Sequence, residues 1–273
     1  MTDRYALFGF PIAHSKSPLI HSEFARATAQ DLTYELIEAP AGGFAAAVDR
    51  FRAEGGRGGN ITMPFKLDAF AYATELSERA RLAGAVNCMK FEGSRALAEN
   101  YDGMGLTNDI QRNQGRPFAG KRVLMLGAGG AARGALLPFL EQKPAVLVVM
   151  NRTVAKAKVF DTEFAGRGPL STGGYADFPG QAFDVVVNAT SASMRRELPP
   201  VAAEAFAPGC LAYDVVYGRG LTPFLRVARE AGAGAIADGV GMLVEQAAEA
   251  FVWWRGVRPA TRPLIDRLSI PLT

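Results

Sequence analysis

The sequence predicts an α/β fold with two domains, one of them built on a doubly wound parallel sheet. Three observations support this prediction. The chain has 273 residues, a length that suits two domains of roughly 100–150 residues each. Its second half contains short, continuous apolar runs, which are typical of parallel strands covered on both faces. Helical segments separate these runs, which is the alternation expected of βαβ units.

The first half mixes strands and helices. Its pattern predicts strands at 5–8, 32–37 and 58–61, and a hairpin of 86–91 with 95–99 around Gly93. Helices are expected from Pro18, at 43–52 and within 65–81. Ser17 is the expected N-cap of the first helix, because proline favours the first helical position after a cap.

The second half predicts four parallel strands, at 123–126, 146–150, 183–187 and 210–215. Helices are expected at 131–141, at 154–164 and near 201–206. From Val240 to Phe251 the apolar residues recur with a 3.6-residue period, which predicts a further helix. We expect this helix to return to the first domain, so that 1–105 and 239–273 form a substrate-binding domain and 106–238 an inserted one.

Composition and charge argue against several classes of protein. The net charge of +3 is too small to favour nucleic acid or a membrane surface as a partner. The two cysteines and two histidines (Cys88, Cys210, His14 and His21) show no ligand spacing, so we expect no metal site. No apolar run approaches the ~20 residues of a membrane span, and the N-terminus has no signal pattern. We therefore expect a cytoplasmic protein that binds a small molecule, as a monomer or homodimer.

A glycine-rich turn follows the first apolar run of the second half. Gly127 and Gly129, with Ala132 in the third position, match the pattern of dinucleotide-binding turns. The first glycine permits a tight turn, the second lets the backbone approach a pyrophosphate, and the next helix offers free N–H groups at its N-terminus. The predicted cofactor contacts in this turn are Gly127, Ala128, Gly129, Gly130 and Ala131.

The segment after the second of these strands favours NADP over NAD. NAD enzymes carry an acidic residue about 20 positions after the turn, whereas this chain has Asn151, Arg152 and Thr153, with Lys156 behind them. Arg152 can bind a 2′-phosphate with its guanidinium fork. The alternative is that Asn151 or Thr153 caps a helix and Arg152 is solvated. Two residues after the third strand are expected in the same crevice, Asn188 and Thr190.

Short polar clusters end several apolar runs of the first half. Together they supply hydroxyls, amides, one amine and one carboxylate, a set that suits a small polyhydroxylated acid. The members are Ser15, Ser17, Asn60, Thr62, Lys66, Asn87 and Asp102. Each also has a simpler interpretation, since Ser17 can be a helix cap, Lys66 a solvated lysine and Asp102 a turn residue.

Taken in order, these motifs resemble the shikimate dehydrogenase family, and the resemblance runs essentially from end to end. The motifs lie at 15–18, 60–66, 85–87, 102–103, 127–134, 151–153, 188–191, 214–217 with 222–223, and 241–246. The resemblance implies a discontinuous substrate domain and a Rossmann-like NADP domain separated by a cleft. It also implies the interconversion of shikimate and 3-dehydroshikimate with NADP(H), a step of aromatic amino-acid biosynthesis.

The resemblance further implies roles for individual residues. Lys66 and Asp102 are the expected catalytic pair, with Lys66 accepting the hydroxyl proton during oxidation. Ser15 and Ser17 are expected to hold the substrate carboxylate. The expected contacts of the substrate ring are Asn60, Thr62, Asn87 and Gln246, with Tyr217 nearby. On the cofactor side the expected contacts include Val215, Gly239 and Met242, the last at the nicotinamide.

Three positions depart from the family pattern. Cys88 and Tyr101 stand where threonine is usual, and Ser193 stands where glycine is usual. Tyr101 adjoins Asp102, and its bulk could move the catalytic pair or narrow the pocket. A paralogue acting on quinate or an aminated shikimate analogue is therefore an alternative. A methylene-tetrahydrofolate dehydrogenase and a non-catalytic dinucleotide-binding protein are weaker alternatives, because the clusters suit a polyol and both Lys66 and Asp102 are present.

Overall fold

The structure is a computed structural model that describes residues 2–273. Two six-stranded sheets organise it, and the first has the strand order β2-β1-β3-β5-β6-β4. Its strands are β1 (Asp3–Gly9), β2 (Leu32–Glu38), β3 (Gly56–Ile61), β4 (Glu75–Leu76), β5 (Cys88–Glu92) and β6 (Arg95–Glu99). Strands β1, β2 and β3 are parallel, whereas β5 runs antiparallel to both β3 and β6.

The second sheet is parallel throughout and has the order β12-β11-β10-β7-β8-β9. Its strands are β7 (Arg122–Leu126), β8 (Val146–Met150), β9 (Leu170–Gly173), β10 (Phe183–Asn188), β11 (Phe206–Asp214) and β12 (Ala235–Ala237). The chain order reverses between β7 and β10, so the crevice above their carboxyl ends is a topological switch point. The predicted doubly wound parallel sheet is confirmed.

Helices cover both sheets. They are α1 (Ser17–Ala27), α2 (Phe44–Ala53), α3 (Lys66–Tyr72), α4 (Glu78–Ala83), α5 (Asp102–Asn108), α6 (Gly130–Glu141), α7 (Val154–Glu163), α8 (Pro223–Glu230), α9 (Val240–Arg255) and α10 (Arg262–Leu268). Helices α6 and α7 bury Leu136, Phe139 and Phe160 against the second sheet. Apolar burial of this kind supplies most of the stability of such helices, because isolated helices of this length are marginal in water.

Helix α9 packs beside α1, although the second sheet separates them along the chain. Val244 and Phe251 of α9 lie in one buried cluster with Ile20 and Phe24 of α1. Trp254 stacks on Tyr5 of β1 and donates its indole N–H to the main-chain oxygen of Met89. The C-terminal helix therefore returns to the first sheet as expected, while the domain boundaries at 105/106 and 238/239 stay a prediction.

Two local predictions were wrong. The helix expected near 201–206 is only a 3-10 turn (Ala203–Ala205), because Phe206 pairs with Phe183 and begins β11. Ser17 is the first residue of α1 and not its N-cap; its own N–H is accepted by the hydroxyl of Ser15 at 3.2 Å.

Candidate active site

Two cavities meet between the sheets. One has a volume of about 370 Å³ and lies above the carboxyl ends of β1 and β3; the other has about 730 Å³ and lies above the glycine turn. The residues that line both are Met63, Lys66, Asp102, Val215 and Met242. The smaller cavity brings together every predicted catalytic and substrate-binding residue, namely Ser15, Ser17, Asn60, Thr62, Lys66, Asn87, Asp102, Tyr217 and Gln246.

A continuous hydrogen-bond chain crosses the point where the cavities join. Lys66 Nζ donates to Asp102 Oδ2 at 2.5 Å, and Asn87 Nδ2 donates to Asp102 Oδ1 at 2.7 Å. The same Asn87 amide lies 3.4 Å from Gln246 Oε1 of helix α9. Both carboxylate oxygens of Asp102 thus have a protein donor, which fixes the carboxylate and places the lysine amine beside it.

Local structure explains why these side chains converge. Lys66 and Asp102 are each the first residue of a short helix, α3 and α5, that follows a strand of the first sheet. The Lys66 main-chain oxygen accepts the N–H of Val86, and the Asp102 N–H is accepted by Asn100 Oδ1 at 3.1 Å. Strand ends and helix starts meet at this edge of the sheet, so residues far apart in sequence share one wall.

Asn60 lies on β3 with its amide almost fully buried, at 5 % exposure. Its Oδ1 accepts the Tyr34 hydroxyl at 2.8 Å and lies 3.1 Å from Nε2 of His21. His21 is fully buried; burial lowers the pKa of this imidazole to about 3, although the hydrogen bond to Asn60 acts in the opposite direction. The histidine is therefore neutral at physiological pH.

The glycine turn has the geometry that a dinucleotide needs. Gly127 adopts φ +107°, and a Cβ there would lie 3.1 Å from the Thr190 side chain. Gly129 and Gly130 face open space, and helix α6 begins at Gly130 with its first N–H groups toward the larger cavity. The turn can therefore hold a pyrophosphate against main-chain donors and the positive end of the helix dipole.

The basic segment that follows β8, Arg152 to Lys156, is exposed to solvent. Arg152 is exposed and lines the larger cavity with Thr153 and Lys156; within residues 2–273 it forms no ion pair or hydrogen bond. Asn151 Oδ1 accepts the N–H of Ala128, and its Nδ2 donates to the main-chain oxygen of Thr153. Thr153 is the N-cap residue of α7, as the alternative expected, but neither its side chain nor that of Asn151 makes a capping hydrogen bond. Asn151 instead ties the turn to this segment.

Asn188 is the one predicted cofactor contact that the structure places away from the cavity. It is fully buried, and its Oδ1 accepts both the N–H and the hydroxyl of Thr190. Its Nδ2 donates to Ser193 Oγ, which in turn donates to Asp214 Oδ2 at 2.5 Å. Both ends of the amide shape the loop that carries Thr190, and a direct cofactor contact for Asn188 stays a prediction. Burial raises the pKa of Asp214, while the bonds from Ser193 and Thr222 act against that rise.

Met242 stands at the junction of the two cavities because α9 begins beside the second sheet. A Cβ on Gly239 would lie 2.2 Å from the main-chain oxygen of Val215, so only glycine permits this approach. The Tyr213 hydroxyl accepts the Met242 N–H and donates to Asp109 Oδ2 at 2.7 Å. Burial raises the pKa of both Tyr213 and Asp109. These buried hydrogen bonds set the position of Met242 relative to the second sheet.

The expectation that Tyr101 disturbs the catalytic pair was wrong. Its side chain lies in a buried cluster with Cys88, Tyr5 and Trp254, away from both cavities, and its ring meets Trp253 edge to face. Only its main chain reaches the site, where its N–H is accepted by Asn87 Oδ1 at 2.8 Å. Two of the three departures from the family pattern, Cys88 and Tyr101, are thus neighbours that pack behind the site.

Several lining residues were not anticipated. On the substrate side they include Leu7, Phe10, Pro11 and Ile12, and on the cofactor side they include Tyr175, Leu198 and Pro199. Phe10 follows the carboxyl end of β1, a position that could have indicated it. Tyr175 follows β9, a strand too short to recognise, so no sequence signal indicated it.

Two features are absent from residues 2–273. No group of three or more histidine, cysteine, aspartate or glutamate side chains is arranged to hold a metal ion there. In the same residues, no helix combines the length and apolar character needed to cross a bilayer.

The parallel sheet with its glycine turn, facing a polar cavity that contains a lysine–aspartate pair, defines a two-lobed dehydrogenase of the dinucleotide-dependent class. Models of one family match most of the chain. The shikimate dehydrogenase substrate binding domain matches residues 7–89, shikimate / quinate 5-dehydrogenase matches 109–196, and the shikimate 5′-dehydrogenase C-terminal domain matches 239–268.

Individual relatives agree. The chain is 55 % identical to the shikimate dehydrogenase (NADP(+)) of Chromobacterium violaceum, over 98 % of both chains. Among solved structures, the Ael1 enzyme of Pseudomonas putida is 57 % identical with a TM-score of 0.95 over the whole of both chains. The shikimate 5-dehydrogenase of Thermus thermophilus, solved with NADP(H) and shikimate, is 29 % identical with a TM-score of 0.84 over 97 % of this chain and 98 % of that one. This chain belongs to the shikimate dehydrogenase family.

Proposed function

We propose that the protein is an NADP-dependent shikimate dehydrogenase that interconverts shikimate and 3-dehydroshikimate. The observation that carries this proposal is the position of Lys66 and Asp102, which line both cavities at once. A substrate carbon held beside this pair would lie between the smaller cavity, which suits a polyol, and the larger cavity, which suits the cofactor. The family membership and the names of the relatives support the same reaction.

The smaller cavity suits a ring acid with several hydroxyls. Ser15 and Ser17, whose hydroxyl oxygens lie 3.2 Å apart, can donate to the substrate carboxylate. Asn60, Thr62, Asn87 and Gln246 surround the ring hydroxyls, with Tyr217 at the mouth. A site built from buried hydrogen-bonding groups discriminates strongly against analogues that lack the matching hydroxyl, because its own groups are then left unpaired.

The larger cavity suits NADP. The turn from Gly127 to Ala131 would hold the pyrophosphate, and the unpaired Arg152 with Thr153 and Lys156 would hold the 2′-phosphate. Thr190, Val215, Gly239 and Met242 complete the wall toward the nicotinamide. When bound, NADP accepts and returns the hydride of this reaction.

The protein's own part in the reaction is to position the substrate and move one proton. In oxidation the hydroxyl proton would pass to Lys66 Nζ. Asp102 orients the amine through the 2.5 Å contact, and Asn87 holds Asp102 from the other side. In reduction Lys66 returns the proton to the carbonyl oxygen.

The substrate is tested by a panel of shikimate, quinate and an aminated shikimate analogue, each with NADP and with NAD. We expect the highest kcat/KM with shikimate and NADP. Lys66→Ala protein purified in parallel is the matched control, because it reveals any contaminating host dehydrogenase. A preference for quinate or the amine would support a paralogue, and NADPH binding without turnover of any member would support a non-catalytic protein.

The organisation of the protein follows from the same proposal. Residues 1–105 with 239–273 form the substrate domain, and 106–238 form the NADP domain. Its partners are small molecules, and with a net charge of +3 it has no nucleic-acid partner. It acts in the cytoplasm as a monomer or homodimer; light scattering in solution separates these two states.

A further inference from the structure

Behind Asn60, two aromatic residues converge on a single atom. The Tyr34 hydroxyl donates to Asn60 Oδ1 at 2.8 Å, and Nε2 of His21 lies 3.1 Å from the same oxygen. The two rings are stacked, with centroids 4.2 Å apart and planes 7° from parallel. Neither residue lines a cavity, and neither has a part in the reaction described above.

The main-chain oxygen of Asn87 determines which way the Asn60 amide is turned. This oxygen accepts the Ile61 N–H at 2.9 Å and lies 3.3 Å from Asn60 Nδ2. A carbonyl oxygen can only accept, so the NH₂ side of the amide must face it. Oδ1 therefore faces Tyr34 and His21, and both of these residues must donate to it. His21 then carries its hydrogen on Nε2.

The surroundings of the imidazole agree with this tautomer. Nδ1 of His21 is buried and has no hydrogen-bond partner within residues 2–273. The rings packed around it belong to Phe24, Tyr34, Phe251 and Trp254. A hydrogen on Nδ1 would be a buried donor without an acceptor, which is costly, whereas a bare nitrogen there is tolerated more easily.

These contacts leave Asn60 with a single free hydrogen-bonding group. Oδ1 already accepts two bonds, and one hydrogen of Nδ2 is used by Asn87. We propose that Tyr34 and His21 are positioning residues that hold the Asn60 amide so that it meets the substrate only as a donor. The substrate atom bound there must then be an acceptor, and any hydroxyl at that place sends its own hydrogen elsewhere. The identity of the substrate rests on the proposed function.

The first test reads the tautomer directly. The chain has only two histidines, so a ¹⁵N-histidine-labelled sample gives two sets of imidazole signals, and a His14→Gln sample identifies those of His21. We expect a hydrogen on Nε2 and a bare Nδ1 at neutral pH. A hydrogen on Nδ1 would overturn the inference, since His21 could not then donate to Asn60.

The second test removes one donor and keeps the ring stack. In Tyr34→Phe we expect the KM for shikimate to rise about 3- to 10-fold, the usual effect of one lost hydrogen bond, with kcat within about 2-fold and the KM for NADP unchanged. Tyr72→Phe is the matched control. Its hydroxyl also donates to a side chain of the same lobe, Asp49 at 2.6 Å, but lies away from both cavities.

A double-mutant cycle separates positioning from a general structural role. If Tyr34 acts through Asn60, then Tyr34→Phe has no further effect on the KM for shikimate in an Asn60→Ala background. An equal rise in both backgrounds would overturn the inference. Failure of wild-type protein to turn over shikimate would instead reject the proposed function, and the imidazole spectrum would still decide the orientation of Asn60.

Discussion

The two halves of the active site are built in different ways. On the substrate side the central side chains are bonded to their neighbours, and two of them are buried, Asn60 at 5 % and Asn87 at 2 % exposure. On the cofactor side the ligand meets a main-chain turn and exposed basic side chains, of which Arg152 has no partner within residues 2–273. The buried amides of the substrate half are held in place before any ligand binds, whereas the cofactor half presents hydrogen-bond donors that have no protein partner in the described part of the chain.

This difference indicates where specificity and affinity arise. Side chains that folding has already fixed lose little conformational freedom when a substrate binds, so they can discriminate between similar ring acids. The exposed Arg152 and Lys156 must be ordered by the cofactor itself, so their contribution appears as affinity for a phosphate. Substitutions in the two halves should therefore change different kinetic constants.

The largest effect is expected from the proton-transferring amine. Lys66→Ala should lower kcat by about 10²–10⁴-fold, because it removes the group that moves the hydroxyl proton. NADPH binding, measured by fluorescence titration, should be preserved. Lys90→Ala, which removes a lysine that pairs with Glu92 in the same lobe, is the matched control. A Lys66→Ala enzyme with near-normal kcat would remove this residue from the mechanism.

The next effect should fall on the cofactor half alone. Arg152→Ala is expected to lower kcat/KM with NADP by about 10- to 100-fold, the range for lost hydrogen bonds to a charged group. The value with NAD should change by less than about 3-fold. Lys158→Ala, on the helix α7 that follows Arg152, removes a cation that already pairs with Asp161, and it serves as the control. Equal losses with both cofactors would contradict a 2′-phosphate contact.

The buried substrate half should also respond to acid. His21 has a folded-state pKa of about 3 against 6.5 in the unfolded chain, so only the unfolded chain gains a proton as the pH falls below 6.5. We expect this residue to reduce the free energy of unfolding by about 2 kcal/mol between pH 7.5 and pH 5. Denaturant titrations of His14→Gln protein, with and without His21→Phe, isolate this effect. Parallel stability curves for the two proteins would contradict it.

The smallest effect tests a part of the cofactor half that is held by internal hydrogen bonds. Ser193 bonds to Asn188 and Asp214 and so anchors the loop that carries Thr190. Ser193→Gly, the usual family residue, should raise the KM for NADP about 3- to 10-fold and leave the KM for shikimate unchanged. Ser193→Ala distinguishes loss of the hydroxyl from added backbone freedom. A normal KM for NADP in both variants would show that the anchor is dispensable.

The sequence predicted the parts of the site that depend on local chemistry. The turn at Gly127 and the polar residues at strand ends, such as Asn60, follow from short patterns with a known geometry. The direction of the Tyr101 side chain and the burial of Asn188 depend on tertiary contacts, which no local pattern contains. The contact between Asn87 and Gln246 spans 159 positions, so its partner could be assigned only through the family resemblance.

The elements missed by the sequence share a physical cause. Strands β9 and β12 have four and three residues, too few for a recognisable apolar run. Helix α8 has eight residues and begins at Pro223. Thr222 is its N-cap, and only the structure shows that the Thr222 hydroxyl accepts the N–H of Leu225. Short elements of this kind are held by the sheet beside them rather than by their own propensity.

The return of α9 to α1 has a consequence for how the protein is made. A ribosome synthesises β1, α1 and β2 before α9 and α10, yet most of the apolar residues that pack on Ile20 and Phe24 of α1 belong to α9 and α10. The second sheet ends with β12, before α9 begins, so all its strands are available earlier. The lobe that emerges first is therefore finished last, and the nascent chain carries an uncovered apolar helix face through most of its synthesis.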